Sequence, residues 1–313
     1  MSSTHILEAH HIVKHYAEHT ALQDVSISIP KGTIFGLLGP NGAGKTSLIR
    51  IINQITGPDE GYVVFNGEKL QEKHIAEIGY LPEERGLNKK MKVGEQLLYL
   101  AQLKGLSKSE AMDKLRIWFT KFDIKTWWDK NVEDLSKGMQ QKIQFVATVL
   151  HEPKLIILDE PFSGFDPINA NLIKDEILEL KAKGSTIIFS THRMESVEEL
   201  CDHVALINKS KKVLDGPKDV IKNQFKNNSY TIRFAGTLDT LSQFKIESCK
   251  ALPEGLSEAI LIVPKESSIK SIQHQLIDQV DLRFFSENIP SMNDIFIRAV
   301  QGDNQQLSAS SNL

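Results

Sequence analysis

What this 313-residue chain lacks narrows its class before any motif is read. It has two cysteines, Cys201 and Cys249, far apart and in no metal-ligand spacing. That excludes a disulfide framework and a cysteine-rich zinc site, and reads as thiols in a reducing cytosol. No stretch approaches the roughly 18 uninterrupted apolar residues that a spanning helix needs. Basic charge is not in excess. A formal net charge of −3 excludes a nucleic-acid binder that relies on bulk charge. The first residues, Met-Ser-Ser-Thr-His-Ile, have neither the basic nor the apolar region of a signal peptide, so a cytosolic chain is expected. No internal repeat is present. The remaining composition, 41% hydrophobic and 25% charged, suits a globular protein with one large core plus a small one, or two medium domains.

What is present centres on residues 33–50. The apolar run Ile34 to Leu38 predicts a short buried strand, a glycine-rich turn follows, and Leu48, Ile49, Ile51 and Ile52 open a helix. Gly39, Gly44, Lys45 and Thr46 meet the pattern G-x-x-x-x-G-K-[ST] in strand–loop–helix context. Gly39, Gly42 and Gly44 allow backbone conformations and close approaches that a Cβ would block. Loop N–H groups and the helix start then face phosphate oxygens. Lys45 neutralises β/γ-phosphates and the Thr46 hydroxyl ligates Mg²⁺ in such a site. This stretch is a nucleoside-triphosphate site.

Before it, residues 6–29 read as short strand segments, with Val25 to Ile29 the clearest. Tyr16 lies in a polar stretch between them, as a half-buried strand residue or a platform for a base. After it come a strand at Tyr62 to Phe65 with an Asn66-Gly67 turn, and an extended stretch Ile75 to Leu81 running into the charged loop Pro82 to Gly86. A helix is expected from Val93 to Leu103 and another from about Ser109, its N-cap, to Phe122. Trp127-Trp128 either packs beneath its loop or meets a partner protein. Leu135-Ser136-Lys137-Gly138-Met139 opens a helix whose face is Met139, Ile143, Val146, Ala147 and Leu150. A Ser-x-Gly turn at a helix start is a second candidate anion site.

Leu155 to Leu158 followed by Asp159-Glu160 predicts a strand of a parallel sheet, buried on both faces, with two carboxylates at its C-terminal end. Asp159 fits a Mg²⁺ contact through water, and Glu160 a general base that polarises water. Ser163 to Pro167 reads as a turn before a helix from Asn169 to Lys183. The strand Ser185 to Ser190 ends in Thr191-His192, and His192 is placed to face a γ-phosphate. Strands at Val204 to Ile207 and Lys212 to Leu214 precede a helix over Lys218 to Phe225. The polar break Lys226 to Ser229 opens a small α+β module, residues 226–300, including a helix over Leu238 to Phe244. Residues 301–313 form a polar tail expected to be disordered.

With these motifs in this order, residues 6–225 resemble the ATP-binding subunit of an ABC transporter. The resemblance implies an α/β fold: a P-loop NTPase core with a mostly parallel sheet, an antiparallel β subdomain, and a helical subdomain over about 87–150. It implies ATP and Mg²⁺ as cofactors. Tyr16 matches the aromatic that stacks on adenine. Gly39, Pro40, Asn41, Gly42, Ala43, Gly44, Lys45, Thr46 and Ser47 form the phosphate loop. Thr46, Asp159 and Glu83 fall on the Mg²⁺ side, and Glu160, His192 and Glu83 on the catalytic side. Glu83 stands where the family usually has the glutamine that links the site to the membrane subunit. It keeps an acceptor but loses the amide donors and adds charge. Ser136 and Gly138 match the signature loop that closes a partner subunit's site, although Lys137 and Met139 replace its usual glycine and glutamine. Asp166 matches the cross-dimer loop. The implied partners are a second ATP-binding subunit, identical or not, and an integral membrane permease on whose inner face the chain sits, with no nucleic acid. Glu83 followed by Glu84-Arg85-Gly86, together with the C-terminal module, resembles a bacterial subgroup often paired with sodium, drug or other exporter permeases, which implies export. The competing reading is a soluble ATPase of the same type without a permease; one P-loop, one signature and the lack of heptad arms count against its translation and DNA-repair forms.

Overall fold

Alternation of polar and apolar residues builds a long antiparallel ladder at the start of the chain. β1 (His5–Tyr16) pairs with β2 (His19–Pro30) and buries Leu7, Ala9 and Ile12 against Leu22, Val25, Ile27 and Ile29. The computed structural model describes residues 4–84, 86–238 and 244–302. The two strands are longer than the short segments expected from sequence. The stretch Val13 to Tyr16 is part of β1, because a ladder at a sheet surface tolerates polar side chains on its open face.

β3 (Ile34–Leu38) and α1 (Lys45–Ile52) flank the glycine loop; all five strand residues are buried, as are Leu48, Ile49, Ile51 and Ile52 of the helix. β4 (Glu60–Phe65) and β5 (Glu68–Lys69) extend the antiparallel sheet in the order β2-β1-β4-β5. Asn66 and Gly67 both take positive φ, 51° and 89°, as the tight turn between them requires. Only Ile78–Leu81 of the expected extended stretch is a strand, β6; Glu72–Glu77 is a 3₁₀ turn.

The helical region holds α2 (Val93–Leu103), α3 (Lys108–Lys121) and α4 (Lys137–Val149). α3 is capped by Ser107, not Ser109. The Ser107 hydroxyl accepts from the Glu110 N–H and the Glu110 carboxylate accepts from the Ser107 N–H, a reciprocal pair that Ser109 cannot make. Trp128 packs beneath its loop, against the ring of Phe119 and against Gly94 of α2. A Cβ at Gly94 would lie 2.3 Å from the indole. Gly94→Ala is therefore expected to destabilise the fold by about 1–3 kcal/mol through overpacking. Thermal melting of the variant checks this, and an unchanged midpoint refutes it.

β7 (Leu155–Asp159), α5 (Pro167–Ala182), β8 (Thr186–Ser190), α6 (Met194–Leu200), β9 (His203–Asn208) and β10 (Lys211–Pro217) complete the second sheet, in the order β10-β9-β3-β8-β7-β6. All its pairs are parallel except β9–β10. α5 begins two residues earlier than its periodicity predicts, since Asp166 caps it and Pro167 occupies its first turn. One core runs from the antiparallel sheet through α1 to this parallel sheet.

His151, just after α4, is half-buried with Nε2 3.4 Å from the Ile78 carbonyl and Nδ1 buried without a partner among the described residues. Burial, then the nearby Lys104 charge, pushes its pKa down to about 4. The unfolded chain therefore binds the extra proton between about pH 6.5 and 4, and the folded state loses stability as pH falls through that window. The stability advantage of wild type over His151→Met is expected to shrink from pH 7 to pH 4.5 in urea titrations. A gap that does not change with pH would contradict this.

The chain divides into two compact units, one running to Lys218 and resuming at Phe296, the other Asp219–Ile295. The second contains α7 (Lys218–Gln224) past its first residue, β11 (Ser229–Ala235), β12 (Lys245–Ala251), β13 (Leu256–Ile262), α8 (Ile269–Gln279) and β14 (Asp281–Glu287). Its strands form an antiparallel sheet in the order β12-β13-β11-β14. Ile272 and Leu276 of α8 join Tyr230, Ile232 and Phe234 in its own core. α9 (Met292–Gln301) ends the described chain. Residues 239–243, within the expected helix Leu238 to Phe244, and the tail from 303 on lie outside the described residues.

Candidate functional site

The strand order alone assembles the site. β3, β8, β7 and β6 are consecutive neighbours, and the segments leaving their C-terminal ends carry the glycine loop, His192, Asp159-Glu160 and Glu83 respectively. Motifs up to about 150 residues apart in sequence thus stand in one row along one sheet edge, where parallel sheets collect their ligands. They line a cleft of about 380 Å³ that also takes in Tyr16 from the end of β1.

The glycine loop has the backbone its pattern predicts. Gly39, Gly42 and Gly44 have φ of 150°, 78° and 115°. A Cβ on Gly39 would lie 2.2 Å from the Ile207 carbonyl oxygen, and one on Gly44 2.3 Å from that of Ala21. Gly44 is also the N-cap of α1, and no side chain caps that helix. Its first N–H groups therefore have no side-chain cap, the arrangement in which a helix start can accept an anion. Lys45 folds back over the loop, donating to the carbonyls of Gly39 (2.7 Å) and Pro40 (3.1 Å). Burial lowers the lysine's pKa, opposed by the charges of Asp159, Glu160 and Glu83.

Asp159 is buried at the end of β7. Burial first, and then the neighbouring Glu83 and Glu160 charges, raise its pKa, with Lys45 opposing. Glu160 follows in the left-handed region, φ 49°, a conformation that costs a non-glycine residue about 1–3 kcal/mol. Its N–H donates to the Ser190 carbonyl (2.9 Å), which tethers it to the end of β8. One carboxylate oxygen accepts from the His192 N–H (2.8 Å) and lies 2.7 Å from His192 Nδ1. The other accepts from the Thr191 hydroxyl (3.1 Å). Glu160 is largely covered, whereas the His192 ring is 71% exposed. A carboxylate oriented by the His192 N–H and the Thr191 hydroxyl, beside an open imidazole, is placed to exchange a proton at a defined point.

Of the residues expected at the site, Gly39, Pro40 and Ala43 belong to the glycine loop but do not line this cleft, and Ser136, Gly138 and Asp166 stand on other elements off it. Ser136 caps α4, its hydroxyl accepting from the Met139 N–H (3.3 Å). Gly138 sits in the first turn of that helix, near the carbonyl of Gly164. Asp166 caps α5, and bonds from Asn169 hold its carboxyl below the usual range. Sequence reasoning gave no role to Thr191 or to His19. His19 lies directly across from Tyr16 in the hairpin and lines the cleft. The two-residue Ala17-Glu18 turn was the signal for that pairing. α4 buries more than the apolar face expected: Ile143, Val146 and Leu150 are buried as expected and Met139 and Ala147 half-buried, but Gln141, Gln144 and Thr148 are buried as well.

Among the described residues no cluster of three or more His, Cys, Asp or Glu could hold a metal by itself. Thr46, Asp159 and Glu83 nonetheless share the cleft. Hard oxygen donors in that number suit Mg²⁺, which keeps waters and binds through one or two carboxylates plus substrate phosphates.

A glycine loop between a central parallel strand and a helix, with carboxylates at the neighbouring strand end, defines an α/β protein of the P-loop NTPase class. Comparison with known proteins then narrows the class. A family model for the ABC transporter matches residues 22–163, and a model for the C-terminal domain of DrrA1-3-like ATP-binding proteins matches residues 216–300. The uncharacterized ABC transporter ATP-binding protein YhaQ of Bacillus subtilis is 42% identical over 296 residues, covering 94% of this chain and 98% of the relative. The Nod factor export ATP-binding protein I of Cupriavidus metallidurans is 31% identical over 225 residues, covering 71% and 74%. A solved ATP-binding subunit of an ABC transporter is 31% identical with a TM-score of 0.66, covering 70% of this chain and 93% of its own. The chain belongs to the ATP-binding subunits of ABC transporters. The fold read from the sequence resemblance, a P-loop core with an antiparallel sheet and a helical region, is the fold observed.

Proposed function

We propose that this chain is the ATP-hydrolysing motor of an export system: two copies, or this chain and a related one, close around two ATP and drive a separate membrane permease. The observation that carries this is the Glu160 carboxylate, held by Thr191 and His192 in the same cleft as the glycine loop and Asp159. Lys45 and the free N–H groups of α1 bind the triphosphate. Thr46, Asp159 and Glu83 hold Mg²⁺, which when bound neutralises charge on the phosphates. Glu160 takes a proton from water, and His192 fixes Glu160 and faces the γ-phosphate. Ser136, Gly138 and Asp166 lie off this cleft, which supports their serving a second subunit's site. Outward transport is supported by the relative named for Nod factor export. Among the described residues no helix is long and apolar enough to cross a membrane. Passage across it therefore falls to the permease, on whose cytoplasmic face the motor docks. Residues 226–300 act as an accessory domain. Co-purification with a membrane protein encoded beside this chain tests the partnership, and a purified chain that hydrolyses ATP but associates with no membrane protein would overturn it.

Tyr16 supplies the base contact. It is 39% exposed at the cleft rim, with the Lys14 ammonium 5.5 Å from its ring centroid and that lysine paired with Asp59. Tyr16→Ala is expected to weaken ATP and GTP alike by ~1–3 kcal/mol, because stacking on an aromatic tolerates either base. Equal affinities in wild type and variant would reduce Tyr16 to a strand residue.

A further inference from the structure

Helix α4 buries three polar side chains on one side: Gln141, Gln144 and Thr148, at 2%, 4% and 5% exposure. Two of them reach the segments that carry the site. Gln141 Nε2 donates to the Pro161 carbonyl (3.3 Å), immediately after Glu160. Gln144 Nε2 donates to the Pro82 carbonyl (3.4 Å), immediately before Glu83. Thr148 donates to the Gln144 carbonyl within the helix (2.9 Å) and lies 3.3 Å from the Tyr80 carbonyl in β6. There the helix is pinned to the strand, since Gly79 lets its backbone come so near that a Cβ would stand 2.3 Å from the Thr148 oxygen.

The geometry has two parts. The C-terminal half of α4 is fixed on β6, and the half nearer Ser136 holds two loops through long amide side chains. Both amide contacts are longer than the usual N–H···O distance. The Gln144 Oε1 atom is buried without a partner among the described residues. A buried acceptor left unpaired is destabilising, and an apolar side chain of the same length would avoid that cost.

We propose that Gln144, assisted by Gln141, is a positioning group that makes Glu83 and the segment after Glu160 follow the signature helix. When α4 is drawn toward a second subunit's nucleotide, the two amide contacts shorten and Oε1 gains a backbone N–H of the Glu83 loop. The carboxylates of Glu83 and Glu160 then reach their working places together. This rests on the ATPase reading above.

Gln144→Met keeps the length and removes both hydrogen-bonding functions. In the full-length chain it is expected to lower kcat for ATP about tenfold with KM within about twofold and the melting temperature not lowered. Gln141→Met with Gln144→Met is expected to reach about 10²-fold. An unchanged kcat overturns the inference, as does a lowered melting temperature with kcat and KM shifting together, which is the mark of a packing role. Amide hydrogen exchange gives a second readout that needs no turnover. MgATP should slow exchange over residues 83–90 and 160–166 together in wild type, and over 160–166 alone in Gln144→Met. Independent responses in wild type also overturn it. By contrast, wild type that binds ATP with no Glu160-dependent turnover refutes the ATPase reading, while the exchange arm still decides the coupling.

Discussion

Glu160→Gln is expected to bind MgATP with near wild-type affinity and to hydrolyse it at least ~10²-fold more slowly. The substitution preserves shape but removes the charge that draws a proton from water. It also places an amide where the His192 N–H and the Thr191 hydroxyl now both meet acceptor oxygens. Blocking hydrolysis should trap the ATP-bound pair of subunits that wild type forms only transiently. The offset of Ser136 and Gly138 from the cleft makes this a test of the second subunit as well. Adding Ser136→Arg fills the space intended for a neighbour's γ-phosphate with a long cation, and removes the hydroxyl that caps α4. The double variant should bind ATP as a monomer and no longer form the pair. Light scattering with MgATP reads both states. A pair that survives Ser136→Arg, or none with Glu160→Gln, removes the cross-subunit site. Wild-type turnover in Glu160→Gln transfers the base role to another group, His192 first.

Loss of MgATP binding in Lys45→Ala is the second large effect, of at least ~10²-fold by titration calorimetry. A charge-assisted contact to phosphate accounts for part of it. The surroundings account for the rest, because Asp159, Glu160 and Glu83 all bear on Lys45. Without the lysine, the ammonium charge that opposes Asp159, Glu160 and Glu83 is gone when a polyanion approaches. Lys45→Arg should restore little, since a planar guanidinium cannot lie along the loop where a single ammonium contacts the Gly39 and Pro40 carbonyls. An unchanged affinity in Lys45→Ala would refute the loop's assignment to phosphate.

The sequence by itself determined the elements whose signal is local. Ile34 to Leu38 and Leu155 to Leu158 are continuous apolar runs, and only a strand covered on both faces accommodates them. Gly39, Gly42 and Gly44 mark positive φ, and the helix that follows shows its apolar stripe in eight residues. The Asn66-Gly67 turn was legible for the same reason. Local competition decided what the pattern could not: Ser107 and Asp166 took the helix caps because Glu110 and Asn169 lay three residues on. Only the tertiary structure decided what meets what. Pairing of β8 between β3 and β7 brings His192 to Glu160, an adjacency that sequence order does not contain. The burial of the α4 amides Gln141 and Gln144 was not legible, since periodicity reports spacing and not the carbonyls of Pro161 and Pro82 that they meet. Strand order is a property of the folded sheet. For that reason the chemistry could be named from the chain, while its assembly into one cleft required the fold.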